Sequence, residues 1–171
     1  MNLWKKALLL GVMTICTANI ANAKQHLQAS STVDQAVVPN VPTPVVLNSI
    51  QSQKGIQVTG SEIVIKKKGL YLISISGQVT GTSGTDYLDL WLRVNGVDVA
   101  NSNTRELQDV AGETSVLSAQ TLIRLERNDV VQAIINGPSA TATLDATTPA
   151  GEPIIPSIHV SIVKVNKPAN N

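Results

Sequence analysis

The sequence predicts an all-β fold, an antiparallel sandwich or barrel of about eight to ten short strands. Three observations predict it. Beyond residue 24 no window sustains a 3.6-residue apolar period. Valine and isoleucine dominate the apolar content, with many threonines and serines beside them and no phenylalanine anywhere. Such β-branched side chains are stiff at χ1 and suit a pleated surface better than a helix. Turn residues then punctuate the chain at regular intervals.

Residues 1–23 read as a signal peptide. Lys5 and Lys6 form a basic start, LLLGVMTICTA a short apolar core, and Ala21-Asn22-Ala23 a small-residue cleavage site before Lys24. The apolar run is too short for a stable membrane span, so no membrane span is expected in the mature chain. Its removal takes Cys16, the one cysteine of the sequence. An exported domain would then be held by packing alone, in a setting where disulfides are permitted. Lys5 and Lys6 leave as well, so the 13 basic residues fall to 11 against 12 acidic ones. That balance gives no electrostatic case for nucleic acid or for an anionic membrane.

Residues 24–44, rich in polar side chains and proline, read as an extended N-terminal arm outside the core. The strands are expected from residue 45 to residue 166, with 167–171 as a tail. Val45 to Leu47 opens the series and Gln53-Lys54-Gly55 breaks it. Ile63 and Ile65 alternate with polar neighbours before the turn at Lys68-Gly69. Leu70 to Thr80 is one long strand with Tyr71, Ile73, Ile75 and Val79 on a single face. Residues 81–86 form a loop, and Asn103 to Gly112 a polar connection. Ser115 to Leu125 puts Leu117, Ala119, Ile123 and Leu125 on one face. VVQAII, from Val130, is apolar on both faces, as a strand covered on both sides would be. Ser139 to Thr148 is ambiguous, and Ile154 to Val165 closes the domain.

The segment LWLRVNGVDVANS (90–102) carries the sharpest local signal. A two-residue loop at Asn95-Gly96 needs φ > 0 at both positions, which this pair tolerates. The register follows. Val94 faces Val97 and Leu92 faces Val99 on an apolar side. Arg93 faces Asp98 and Trp91 faces Ala100 on the other.

Three stretches together resemble the jelly roll shared by the tumour necrosis factor and complement component 1q-like superfamily. Gly69-Leu70-Tyr71 is similar to the Gly-x-Tyr that begins the long central strand of that fold. LRVNGVDVANS resembles its Asn-Gly hairpin, and LIRLERNDVVQAII its turn re-entering through Asp and Val. Ile155-Pro156-Ser157-Ile158 is similar to the closing strand of related bacteriophage and viral modules, and the flavour is that of bacterial members. The resemblance implies an antiparallel jelly-roll sandwich working as a homotrimer. Two departures stand out. Asn128-Asp129 replaces a frequent Gly-Asp, and asparagine also visits the left-handed region. Many members build the threefold axis from aromatic residues, whereas here only Tyr71, Tyr87 and Trp91 follow residue 23.

The chemistry-bearing residues are sparse. His26 lies in the arm, with nothing rigid to position it. His159 stands between Ser157 and Ser161 on the last strand, but no Gly-x-Ser-x-Gly elbow accompanies it, and a nucleophile needs a base that is itself oriented. The expectation is a non-enzyme with no catalytic residues, no cofactor site and no metal site. Zinc would need Cys or His at close spacing. Calcium is the one ion the acidic residues could hold, at Asp86 with Asp89 or Asp109 with Glu113, and some members of the superfamily bind it near the trimer apex. Lys66-Lys67-Lys68 reads as an exposed corner, or more sharply as a contact for acidic glycans. Any specificity is expected in the loops 81–86, 103–113 and 138–152.

These readings describe an exported recognition or adhesion module, homotrimeric, with a glycan or protein ligand on a cell surface. The alternative is a coat or fibre-tip protein without a specific ligand. Export leads equally to the periplasm, the cell surface or the medium. A hydrolase on the same scaffold, built on His159, is the third reading.

Overall fold

The computed structural model describes residues 25–82 and 86–165. The signal peptide and the tail proposed from the sequence lie outside them. Every regular element among the described residues is a strand, and the strands form two antiparallel sheets packed as a sandwich. Strands are numbered in chain order. The first sheet holds β1 (His26–Ser31), β3 (Ser49–Lys54), β6 (Gly69–Gly81), β10 (Thr114–Leu125), β12 (Ala142–Leu144) and β13 (Ile158–Val165). Its order is β10-β6-β13-β1-β3, with β12 beside the far end of β6. The second sheet holds β2 (Thr43–Pro44), β4 (Ile56–Thr59), β5 (Glu62–Ile65), β7 (Asp86–Val94), β8 (Val97–Asp98), β9 (Thr104–Gln108) and β11 (Val130–Asn136). Its path is β4-β5-β11-β7-β8, with β2 on β11 and β9 on β7.

Alternation builds the core. Tyr71, Ile73, Ile75 and Val79 point inward from β6, Leu117 from β10, and Val160 and Ile162 from β13. Ile63, Ile65, Leu88, Leu90, Leu92, Val131 and Ile135 meet them from the second sheet. The Tyr71 hydroxyl donates to the Lys67 carbonyl at 2.5 Å. Burial pushes its pKa up, so the ring fills the core while the phenol ties the β5–β6 corner to it. Gly77 interrupts the β6 pattern for a packing reason: a Cβ there would stand 2.7 Å from Leu144 Cδ2.

The Asn-Gly hairpin forms with the expected register. Arg93 pairs with Asp98 and Val94 with Val97. Asn95 has φ 51° and Gly96 φ 81°. The Val99 N–H still donates to the Leu92 carbonyl at 2.9 Å, as the expected facing requires, and pairing stops there because the chain turns at Ala100-Asn101. Trp91 therefore donates its indole N–H to Asp98 Oδ1 at 2.8 Å rather than facing Ala100. Val97, expected on a covered side, is 70% exposed at the tip. Asn128 takes the left-handed conformation at φ 72°. The two turns interlock: Asn95 Nδ2 donates to Asp129 Oδ1, and the Val130 N–H donates to Asn95 Oδ1, both at 2.8 Å.

The first part of the expected arm, residues 26–31, is a strand of the sandwich, whereas 38–42 are exposed as an arm would be. β1 lies between β13 and β3, paired residue by residue from His26↔Val163 to Ser31↔Ile158. Leu27 and Ala29 are buried, and so is Val37 farther on. The domain's first element thus precedes residue 45 by some twenty positions. HLQASS escaped notice because its inward positions alternate with Gln and Ser, a weak apolar signal that sheet pairing completes. Val45 and Leu47 are buried on either side of an exposed Val46, but the segment makes no strand. The strand count among the described residues rises to thirteen through short pieces such as β2, β8 and β12. It also rises through β9, which occupies the expected polar connection 103–112, and β3, a Ser/Gln-rich edge.

Candidate functional site: the outer faces of the sandwich

The two outer faces differ in chemistry, and that difference follows from which residues alternate with the core. On the second sheet the outward residues of β7 are Tyr87, Asp89, Trp91 and Arg93, a charged and aromatic ladder. Arg105, across the strand pair from Asp89, donates to both of its carboxylate oxygens at 2.7 and 2.8 Å. Its guanidinium also lies 3.6 Å from the centre of the Tyr87 ring. The bond to Asp89 raises the Arg105 pKa further. Arg93 Nε donates to Asp98 Oδ1 at 2.7 Å. That bond, with the one from Trp91, holds the Asp98 carboxyl below its ordinary range. These charges are mutually satisfied and leave little for a partner.

Ile134 lies on the same face. Of the outward residues of VVQAII, Val130 and Gln132 are half-buried and Ile134 is covered by its own chain. Ile134 stands in register between Trp91 of β7 and Pro44 of β2 and is fully buried. The short strand β2 supplies cover that the sequence pattern did not reveal, so this strand is no exposed interface.

The outer face of the first sheet has the opposite character. Cross-strand rows run Gln120–Ser74–Ser161–Gln28 and Ser118–Ser76–His159–Ser30 through the middle. Toward one end lie Leu122–Leu72–Val163, with Leu70 and Val165 beyond them. Leu122 is 59% exposed, and Leu72, Val163 and Val165 are each near 40%. Arg124 is the one Lys, Arg, Asp or Glu among the outward positions of β1, β6, β10 and β13, all of them described residues. Small hydroxyls and amides beside exposed leucine and valine make a flat surface with little charge to desolvate. Depletion of charge is the compositional mark of an interface centre. The signal was available in the sequence, as Ser and Gln at alternate positions of the long strands.

The remaining candidate residues disperse. His159 is exposed on the uncharged face beside Ser76 and Ser30, with no carboxylate in its row. Ser157 is fully buried, its hydroxyl donating to the Val33 carbonyl at 2.7 Å, so it does not pair with that imidazole. His26, taken as unpositioned, is fixed on β1 with Nε2 2.8 Å from Ser52 Oγ. Asp86 and Asp89 point to opposite faces and do not converge. Burial raises the Asp86 pKa, but hydrogen bonds from the Ser139 and Thr141 hydroxyls and from the Tyr87 and Ala142 N–H groups outweigh it and lower the value. Asp86 thereby pins the 138–142 segment to the start of β7. Asp109 and Glu113 are exposed in the β9–β10 connection. Among the described residues no three His, Cys, Asp or Glu side chains group as metal ligands. Lys66, Lys67 and Lys68 are exposed at the β5–β6 corner, with Lys68 2.7 Å from Glu126.

No protein-family model matches the sequence, and no curated protein is similar to it. The backbone is more informative. Crystal structures of murine APRIL, a tumour necrosis factor-family jelly-roll protein, superpose on it. The form at pH 8.5 gives a TM-score of 0.57 at 12% identity, over 82% of this chain and 98% of that one. The form at pH 5.0 gives 0.56 at 13% identity over the same shares. The fold is a tumour necrosis factor-type jelly roll. At this identity the likeness is one of backbone path. It bears out the jelly-roll path expected from Gly69-Leu70-Tyr71 and the two interlocked turns. Among the described residues of this jelly roll no helix is long and apolar enough to cross a membrane.

Proposed function

We propose that the chain is an exported, non-enzymatic recognition or adhesion module that acts as a homotrimer. The observation that carries the proposal is the outer face of the first sheet, charge-poor and bearing Leu72, Leu122, Val163 and Val165. A sandwich needs one face of each sheet for its own core. The second outer face is mostly taken up by internal ion pairs and the covered Ile134, with Leu107 exposed beside Tyr87, whereas this one is left open. Covering it with further copies buries leucine and valine and desolvates few charges. The jelly-roll fold supports the same reading. Self-association would leave the loops at the ends of the sandwich for a partner, and three copies would multiply weak contacts through effective concentration. The signal-peptide pattern of residues 1–23 supports export, to the cell surface, the medium or the periplasm.

A recognition role and a coat role separate by competition. Purified residues 24–171, added to cells that make the protein, should reduce their attachment by occupying its receptors. Unchanged attachment together with an altered envelope in a deletion strain contradicts recognition and favours the coat.

A further inference from the structure

Most charges of this chain are sorted toward the two ends of the sandwich. Lys54 ends β3, Lys66 to Lys68 join β5 to β6, Arg124 lies near the end of β10 with Arg127 in the turn beyond, and Lys164 is next to last in β13. Strand register places these at one end. The cross-strand row Leu122–Leu72–Val163–His26–Lys54 reaches from β10 to β3, roughly 19 Å at the usual strand spacing. Hydrogen bonds draw the rest together. The Lys66 N–H donates to the Gly55 carbonyl at 3.1 Å, and Lys164 Nζ donates to the Lys68 carbonyl at 2.6 Å. The opposite end carries Asp34, Asp109, Glu113, Asp145 and Glu152, and no Lys or Arg among the described residues.

Glu126, Asp129 and Asp98 lie at or beside the basic end and are engaged, Asp98 by Arg93 and Trp91. Glu126 pairs with Lys68. Asp129 accepts from Asn95 through Oδ1 and from the Glu126 N–H through Oδ2. Lys54, Lys66, Lys67, Arg124 and Arg127 meet no carboxylate at ion-pair distance among the described residues, whereas Arg93 and Arg105 on the sheet face are each paired. A chain with almost balanced charge thus concentrates unpaired cations on one pole, where their summed potential attracts an anion.

We propose that this pole binds an anionic polysaccharide carrying sulfate or carboxylate groups. This deepens the recognition reading by naming its ligand class. Arg124 on β10 and Lys54 on β3 stand at the two edges of the first sheet, so the cations are spread over a width that fits a chain of charges better than one ion. Tyr71 and Trp91 are buried and Tyr87 is covered by Arg105. The pole therefore offers neither a stacking platform for single-stranded nucleic acid nor an aromatic anchor for a lipid interface. A polysaccharide needs spaced cations only.

The test is binding of a heparin-derived oligosaccharide to residues 24–171 by calorimetry. Duplex DNA and phosphatidylglycerol vesicles are run beside it, with light scattering on the same samples. Binding should weaken at least tenfold in K66E/K67E, with the melting temperature unchanged because both side chains are exposed. Adding D109K/E113K to that variant restores the net charge at the other end and should not restore binding. Absence of binding by the wild type, recovery in the charge-restored variant, or equal affinity for DNA or vesicles overturns the proposal. A monomer that still binds overturns the trimer alone. A trimer that does not bind overturns this inference alone.

Discussion

Asn95 shows how much one residue can fix. It supplies a left-handed conformation, φ 51°, that few side chains tolerate. Its amide also joins the β7–β8 hairpin to the β10–β11 turn through Asp129 and Val130. Asn95→Gly keeps the backbone freedom and loses the two bonds, which should cost about 1–2 kcal/mol in chemical denaturation. Asn95→Ala loses both and should cost more. Equal losses would show that the side-chain bonds, not the backbone, set the effect. Asp86 makes a pH-dependent counterpart. Its folded-state pKa is depressed, so its stabilisation is present above the unfolded carboxylate pKa of about 3.9 and fades as pH falls through the lower folded value. Asp86→Asn should destabilise by about 1–3 kcal/mol at neutral pH, and the gap to wild type should close under acid. A gap that does not narrow as pH falls below the ordinary carboxylate range contradicts this account of the carboxylate.

At the scale of elements, β1 decides where the folded unit begins. It is flanked by β13 and β3 and buries Leu27. A protein beginning at residue 45 should therefore lack cooperative thermal unfolding, because removing β1 bares the edge of β13 and opens the core. A sharp melt close to that of residues 24–171 would restore the arm reading. Leu27→Ala in the longer protein should cost about 2–5 kcal/mol. The long strands were legible because their core residues recur every second position without interruption, as in Tyr71-Ile73-Ile75 of β6. The Asn-Gly turn was legible because its chemistry is local. β1, β3 and β9 were not, since Gln, Ser, Glu and Arg occupy many of their positions and their pairing depends on strands distant in sequence. The cover over Ile134 was hidden for a related reason. Two residues, Thr43 and Pro44, leave no periodic trace.

At the scale of the whole molecule, three features matter: the jelly-roll path, one charge-poor sheet face, and opposed charged poles. The path could be read from the turns and the long strands. The face was implicit in their outward serines and glutamines, but only the order β10-β6-β13-β1 brings those residues into one surface. The basic pole was half legible, since Lys66-Lys67-Lys68 is contiguous, while Lys54, Arg124 and Lys164 join it only through register. The central claim is that the charge-poor face is covered by further copies of the chain. Its most direct test is the solution mass by light scattering after size-exclusion chromatography, for residues 24–171 and for a variant bearing Ser74→Glu and Ser161→Glu on that face. The account predicts three times the chain mass for the first and a folded single chain for the second. A folded single chain for both, at micromolar concentration, contradicts it.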